Sequence, residues 1–103
     1  MIPLAHVDHF TEVDEELAGW MMRVAHRVGR RLRTEFGCER TGFVVHGYGV
    51  PHAYLLVVPQ HGPTDTTSGR FAKVREGAVL FDLEGVRVPP RAELDEHARR
   101  LGG

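Results

Sequence analysis

"GVPHAYLLVVP", residues 49–59, is the stretch on which the reading of the whole chain turns. If it is extended, alternation puts His52, Tyr54, Leu56 and Val58 on one side and Ala53, Leu55 and Val57 on the other. The second set is wholly apolar and is expected to face a core. The first set carries the histidine and the phenol, so any chemistry is expected on that side. Valine and leucine enrichment and the flanking prolines predict a strand over residues 50–58. A second strand is expected over residues 41–46, separated from the first by Gly47, Gly49 and Pro51, and the two are expected to pair as antiparallel neighbours.

Upstream, the period changes from two to between three and four. Leu17, Trp20, Met21, Val24, Ala25, Val28 and Leu32 form one stripe of a long amphipathic helix expected over residues 11–36. Thr11, with Asp14 three residues on, is the expected N-terminal cap, and Gly37 suits the left-handed residue that ends a helix. Acidic side chains crowd the start of this helix and Arg23, Arg27, Arg30, Arg31 and Arg33 its later turns, as the helix dipole favours. Those arginines read first as a solvated helix face and second as a phosphate-binding surface. Downstream, "HGPTDTTSGR" at residues 61–70 is dense in turn formers. "FAKVREGAVLFDL", residues 71–83, predicts a hairpin around Glu76-Gly77 that would cover or extend the sheet. Pro89 and Pro90 then lead a short helix over residues 91–101, with Leu94, Ala98 and Leu101 on one face. Helix, two strands, loop, hairpin and helix predict an α+β domain with a small antiparallel sheet packed on helices.

With 103 residues the chain has room for a single small domain, and 42% apolar with 26% charged residues sets it among globular rather than disordered chains. Thirteen basic against fourteen acidic side chains give a formal charge of −1, so no bulk attraction to nucleic acid or to an anionic membrane is expected. The single cysteine, Cys38, excludes an internal disulfide framework and a cysteine zinc cluster. With Met1 running directly into Ile-Pro-Leu, a cytoplasmic location is expected. No cofactor is expected.

The spacing around His52 has chemical meaning. Imidazoles at alternate positions of one strand would stack along one face, where one could attack a phosphate while its neighbours donate hydrogen bonds to the oxygens. Here the sequence resembles the histidine-triad (HIT) family of nucleotide hydrolases and transferases, whose His-φ-His-φ-His-φ-φ motif commonly follows Gly-x-x-Val-x and precedes a proline. Gly47, Val50, His52 and Pro59 stand in matching places. "IPLAHVDHFTEVDEEL", residues 2–17, is similar to the family's strand end and acidic helix start, with His6 on the family's histidine. "PQHGPTDTTS" and "PPRAELDEHARRL" look like the tail of a bacterial subgroup.

Two of the three triad positions depart from the motif. Tyr54 occupies the place of the histidine that takes up the nucleotidyl group, and Leu56 that of the third histidine. Tyr48 and Gly49 replace a glutamine and a small hydroxyl residue that often contact phosphate. The resemblance implies a single HIT-like domain over residues 1–103, shortened at its N-terminus. It also implies a degenerate member that binds a nucleotide-like ligand or a partner without the family's hydrolysis. The alternative is an active or repurposed enzyme in which His52 and Tyr54 do acid-base or covalent work. A tyrosine nucleophile, with an ordinary pKa of about 10, needs a nearby base, for which His46 and His61 are the candidates. Tyr54 reads first as an amphipathic residue with its hydroxyl at the sheet margin and only second as a catalytic one. The candidate ligand-binding residues are His46, Tyr48, Gly49, His61, Thr66 and Thr67. A metal site built from His46, His52 and His61 is a lesser expectation, and an exposed sheet edge predicts a homodimer.

Overall fold

The computed structural model describes residues 1–66, 72–82 and 86–102. Its dominant element is the helix α1, Glu15–Phe36, which ends where expected, with Gly37 left-handed at φ 64° and its N–H bonded to the Arg33 carbonyl at 3.1 Å. The start differs from expectation. Phe10–Glu12 form a separate 3-10 turn whose cap is His9, and Val13 then turns extended at ψ 133°. Asp14 caps α1 by accepting from the Glu16 amide at 3.1 Å. Burial of Val13 in the core accounts for the break, because a continuous helix from Thr11 would carry that side chain round with the helical turn.

Two strands, β1 (Arg40–Val44) and β2 (Leu56–Gln60), pair antiparallel with Phe43 opposite Val57 and Val44 opposite Leu56. Regular strand structure therefore begins at Leu56 rather than at residue 50. Residues 53–55 keep the predicted alternation, but their amides turn to the start of the chain: Ala53 N–H donates to the Val7 carbonyl at 2.7 Å and Leu55 N–H to that of Met1 at 2.9 Å. Ala53 and Leu55 are buried, and with Met21, Ala25 and Val13 they make the core, flanked by Val7, Phe10, Ala18 and Val57. Fully burying one leucine in this way contributes about 1.5–3 kcal/mol.

A close approach joins α1 to β1. An added Cβ on Gly29 would lie 2.8 Å from Phe43 Cζ and 3.2 Å from Thr41 Cγ2, and Thr41 Oγ1 donates to the Gly29 carbonyl at 3.2 Å. Only glycine lets the strand settle this near the helix without displacing those side chains.

The remaining elements stand outside this core. β3 (Ala72–Arg75) and β4 (Ala78–Phe81) form the expected hairpin, with Glu76 at φ 51° and Gly77 at φ 77°, the two positive angles of a type I′ turn. They make a second two-stranded sheet, exposed along both strands, instead of extending the first. The last residue positions of the predicted hairpin, Phe71 and Leu83, lie outside the described residues, as does Thr67. The closing helix α2 (Arg91–Arg100) docks on the end of α1, where the Arg100 guanidinium lies 4.4 Å from the Phe36 ring centroid and the Arg31 guanidinium donates to the Arg100 carbonyl at 2.9 Å. The architecture is α+β with two small antiparallel sheets and two helices. Among the described residues no helix is long and apolar enough to cross a membrane.

Candidate functional site

Because Ala53 and Leu55 point into the core, His52 and Tyr54 lie on the side of the sheet away from α1. His52 is half-buried, and its Nδ1 sits 3.0 Å from the Ala53 carbonyl. A carbonyl only accepts, so Nδ1 carries the proton and Nε2 of the neutral ring keeps its lone pair. The His6 ring meets His52 edge-on, with centroids 5.2 Å apart at 88°. That contact exists because residues 1–7 run beside residues 53–55.

Tyr54 is held differently. Its hydroxyl donates to the Tyr48 carbonyl at 2.8 Å, so the loop between β1 and Pro51 is folded over the phenol. Gly49 makes the fold-over possible: its φ of 108° is a backbone conformation that L side chains rarely adopt, and an added Cβ would lie 3.5 Å from the Tyr54 oxygen. His46 is near, with ring centroids 6.4 Å apart, but it does not take the phenol proton. The Tyr48 ring is almost fully in solvent, 93% exposed, so Tyr48 contributes its carbonyl and not its side chain. His9 closes this side. Its Nδ1 accepts from the Thr11 amide at 3.3 Å, which leaves the neutral ring protonated at Nε2, and Nε2 lies 3.2 Å from where a Cβ on Gly47 would be.

The structure thus gathers His6, His9, His46, His52 and Tyr54 around the loop, and it separates His61 and Thr66 from them. His61 follows Gln60, which pairs with Arg40, whereas His46 follows Val44 at the other end of the ladder. Four ladder steps at about 3.3 Å put roughly 13 Å between those ends. His46, His52 and His61 do not converge, and among the described residues no group of three or more His, Cys, Asp or Glu could hold a metal ion. Around His61 the polar run does turn chemistry: Asp65 Oδ2 accepts from the His61 amide at 2.6 Å and from the Gly62 amide at 2.9 Å. Thr66 packs its methyl where a Cβ on Gly42 would stand, 2.5 Å away.

The larger concave regions lie on the opposite side of the sheet. A groove of about 650 Å³ runs between α1 and the Arg40 end of the β1–β2 pair, lined by Arg30, Arg33, Arg40, Thr41 and Gln60. An adjoining recess of about 590 Å³ is lined by Trp20, Met22, Arg23, Arg27, His26 and Phe43. The two share His26 and Phe43. Neither His52 nor Tyr54 lines either one. His26 reads as an ordinary helical residue and Gln60 as an ordinary strand residue until β1 is placed against α1, and the only advance signal is the arginine spacing. No protein-family model matches the chain.

Proposed function

We propose that the chain is a HIT-like α+β domain that binds a nucleotide-like ligand or a partner, and that it does not perform the family's nucleotidyl transfer. The observation that carries this reading is the state of Tyr54. At the position of the family's nucleophile its proton is committed to the Tyr48 carbonyl, an acceptor that cannot remove it. A phenol so held is built to anchor a loop. Leu56 next along the same side offers neither charge nor hydrogen bond. The lone cysteine, Cys38, is buried and free, which suits a reducing, cytoplasmic setting. Open strand edges and exposed apolar side chains favour self-association as a homodimer.

A second reading has its own support. The Nε2 lone pair of His52 leaves one imidazole free to act as base or nucleophile on that side, with His6 beside it. The two readings part on an adenosine phosphoramidate substrate. The binding reading expects no AMP release above the uncatalysed rate; release that His52→Ala abolishes would overturn it and install the enzymatic one.

A further inference from the structure

Among the described residues the groove along α1 is lined by more cations than carboxylates. Among the described residues Arg27, Arg30 and Arg33 have no carboxylate partner, and the acid at the groove, Glu39, stands 3.9 Å from Arg40 with both side chains 80% exposed. Such an exposed pair contributes little and opens readily to a competing anion. In a chain of formal charge −1, this clustering segregates positive charge to one face. Next to it the recess is apolar. Trp20 is 50% and Phe43 41% exposed, and the Arg23 guanidinium lies 5.0 Å from the Trp20 ring centroid. A molecule bridging the two halves must be anionic at one end and flat and weakly polar at the other.

We propose that this α1–β1 groove binds a nucleoside phosphate, with its phosphates on Arg30, Arg33 and Arg40 and its base against Trp20 and Phe43. Guanidinium forks match phosphate oxygens in pairs, and a base stacks on exposed aromatic faces. Thr41 and Gln60 line the phosphate half, but the Thr41 hydroxyl proton is committed to the Gly29 carbonyl, so the guanidiniums supply the donors there. Each half is the size of a small-molecule site. A nucleic-acid strand fits less well, because the basic strip ends at the acidic first turn of α1, Glu15 and Glu16, which would repel a continuing polyanion. The groove lies on the other side of the sheet from His52, so this site stands whether or not His52 is catalytic.

The test is calorimetric titration of the whole chain with ADP, adenosine and pyrophosphate, alongside the emission of Trp20, the one tryptophan. ADP is expected to bind saturably and to change Trp20 emission. Adenosine and pyrophosphate, each filling one half, are expected to bind at least about tenfold more weakly. Arg30→Gln and Arg33→Gln, both at exposed positions, should each raise the ADP Kd by about tenfold, and His52→Ala should leave it unchanged. Native circular dichroism of each variant separates lost binding from lost folding. The proposal is overturned if ADP fails to saturate at millimolar concentration or if the folded arginine variants bind it as well as the parent. An oligothymidylate that binds and is not displaced by ADP also overturns it.

Discussion

Gly29 carries two demands that oppose each other. Within a helix a glycine costs about 1 kcal/mol relative to alanine, yet here its missing side chain is what admits Phe43 and Thr41. The sign of a substitution follows from what must move. For Gly29→Ala the tip of the half-exposed Phe43 ring swings aside, the helix gains propensity, and stability should change by less than about 1 kcal/mol. Gly29→Leu forces a branched chain between helix and strand and should cost about 1–3 kcal/mol. Leu55→Ala, at a side chain with no exposure, should cost about 2–5 kcal/mol. Urea denaturation of the three variants checks the order; a Leu variant at Gly29 as stable as the parent would remove the close approach from the account of the core. At this scale the inward and outward sets of residues 52–55 were legible from alternation alone. The company His52 keeps was not, because His6 reaches it through a pairing between distant segments that no local period records.

In α1 the apolar stripe and the buried face differ. Met21, Ala25, Gly29 and Leu32 are buried, whereas Leu17, Trp20 and Val24 stay exposed. With 3.6 residues per turn the buried face is rotated by about 60° from the centre of the stripe, towards Gly29. Periodicity reveals which residues are apolar, and contact with β1 decides which are covered. The helix end was legible because glycine alone marks it cheaply; the start was not, because three polar residues compete as caps and the burial of Val13 settles the matter. In α2 the ends are tied by charge. Glu93 receives the Arg87 guanidinium at 2.8 Å, and Glu96 receives Arg99 Nε at 3.0 Å. These hydrogen bonds hold both carboxyls below the ordinary value of 4.5. A lowered folded-state pKa means the tie is fully present above 4.5 and is lost as pH falls through the lowered values. Carbon-detected titration should therefore place both carboxyls below 4.5, with loss of α2 helicity following them. Titration of either at or above that value would show the ion pairs absent in solution.

For the molecule as a whole, the radius of gyration of 15.9 Å exceeds the ~13 Å expected of a compact chain this long. The excess reflects elements that leave the α1, β1 and β2 core. Sequence indicated which elements exist, since turn residues and periods are local. It did not indicate that the hairpin forms its own sheet, because docking depends on surfaces that only the assembled core defines. Leu17 and Val24 on α1 and Val45 after β1 remain more than a third exposed, apolar surface of the kind that favours self-association. Sedimentation at micromolar concentration should therefore give a dimer mass; a monomer mass with protected β1 and β2 edge amides would remove the case for one. The β3–β4 arm has a different consequence. Val79, Leu80 and Phe81 sit in a β-rich run exposed by half or more, and among the described residues no further strand pairs with either outer edge of the two-stranded sheet. Lys73 lies across from Leu80 and is paired to Asp82 at 2.7 Å, whereas Arg75, across from Ala78, has no carboxylate partner among the described residues and is the charge that can keep copies of the arm apart. Screening of that charge at high salt should therefore favour stacking of the arm, which light scattering against salt concentration checks; scattering that does not rise with salt would show that the arm's edges stay apart for another reason.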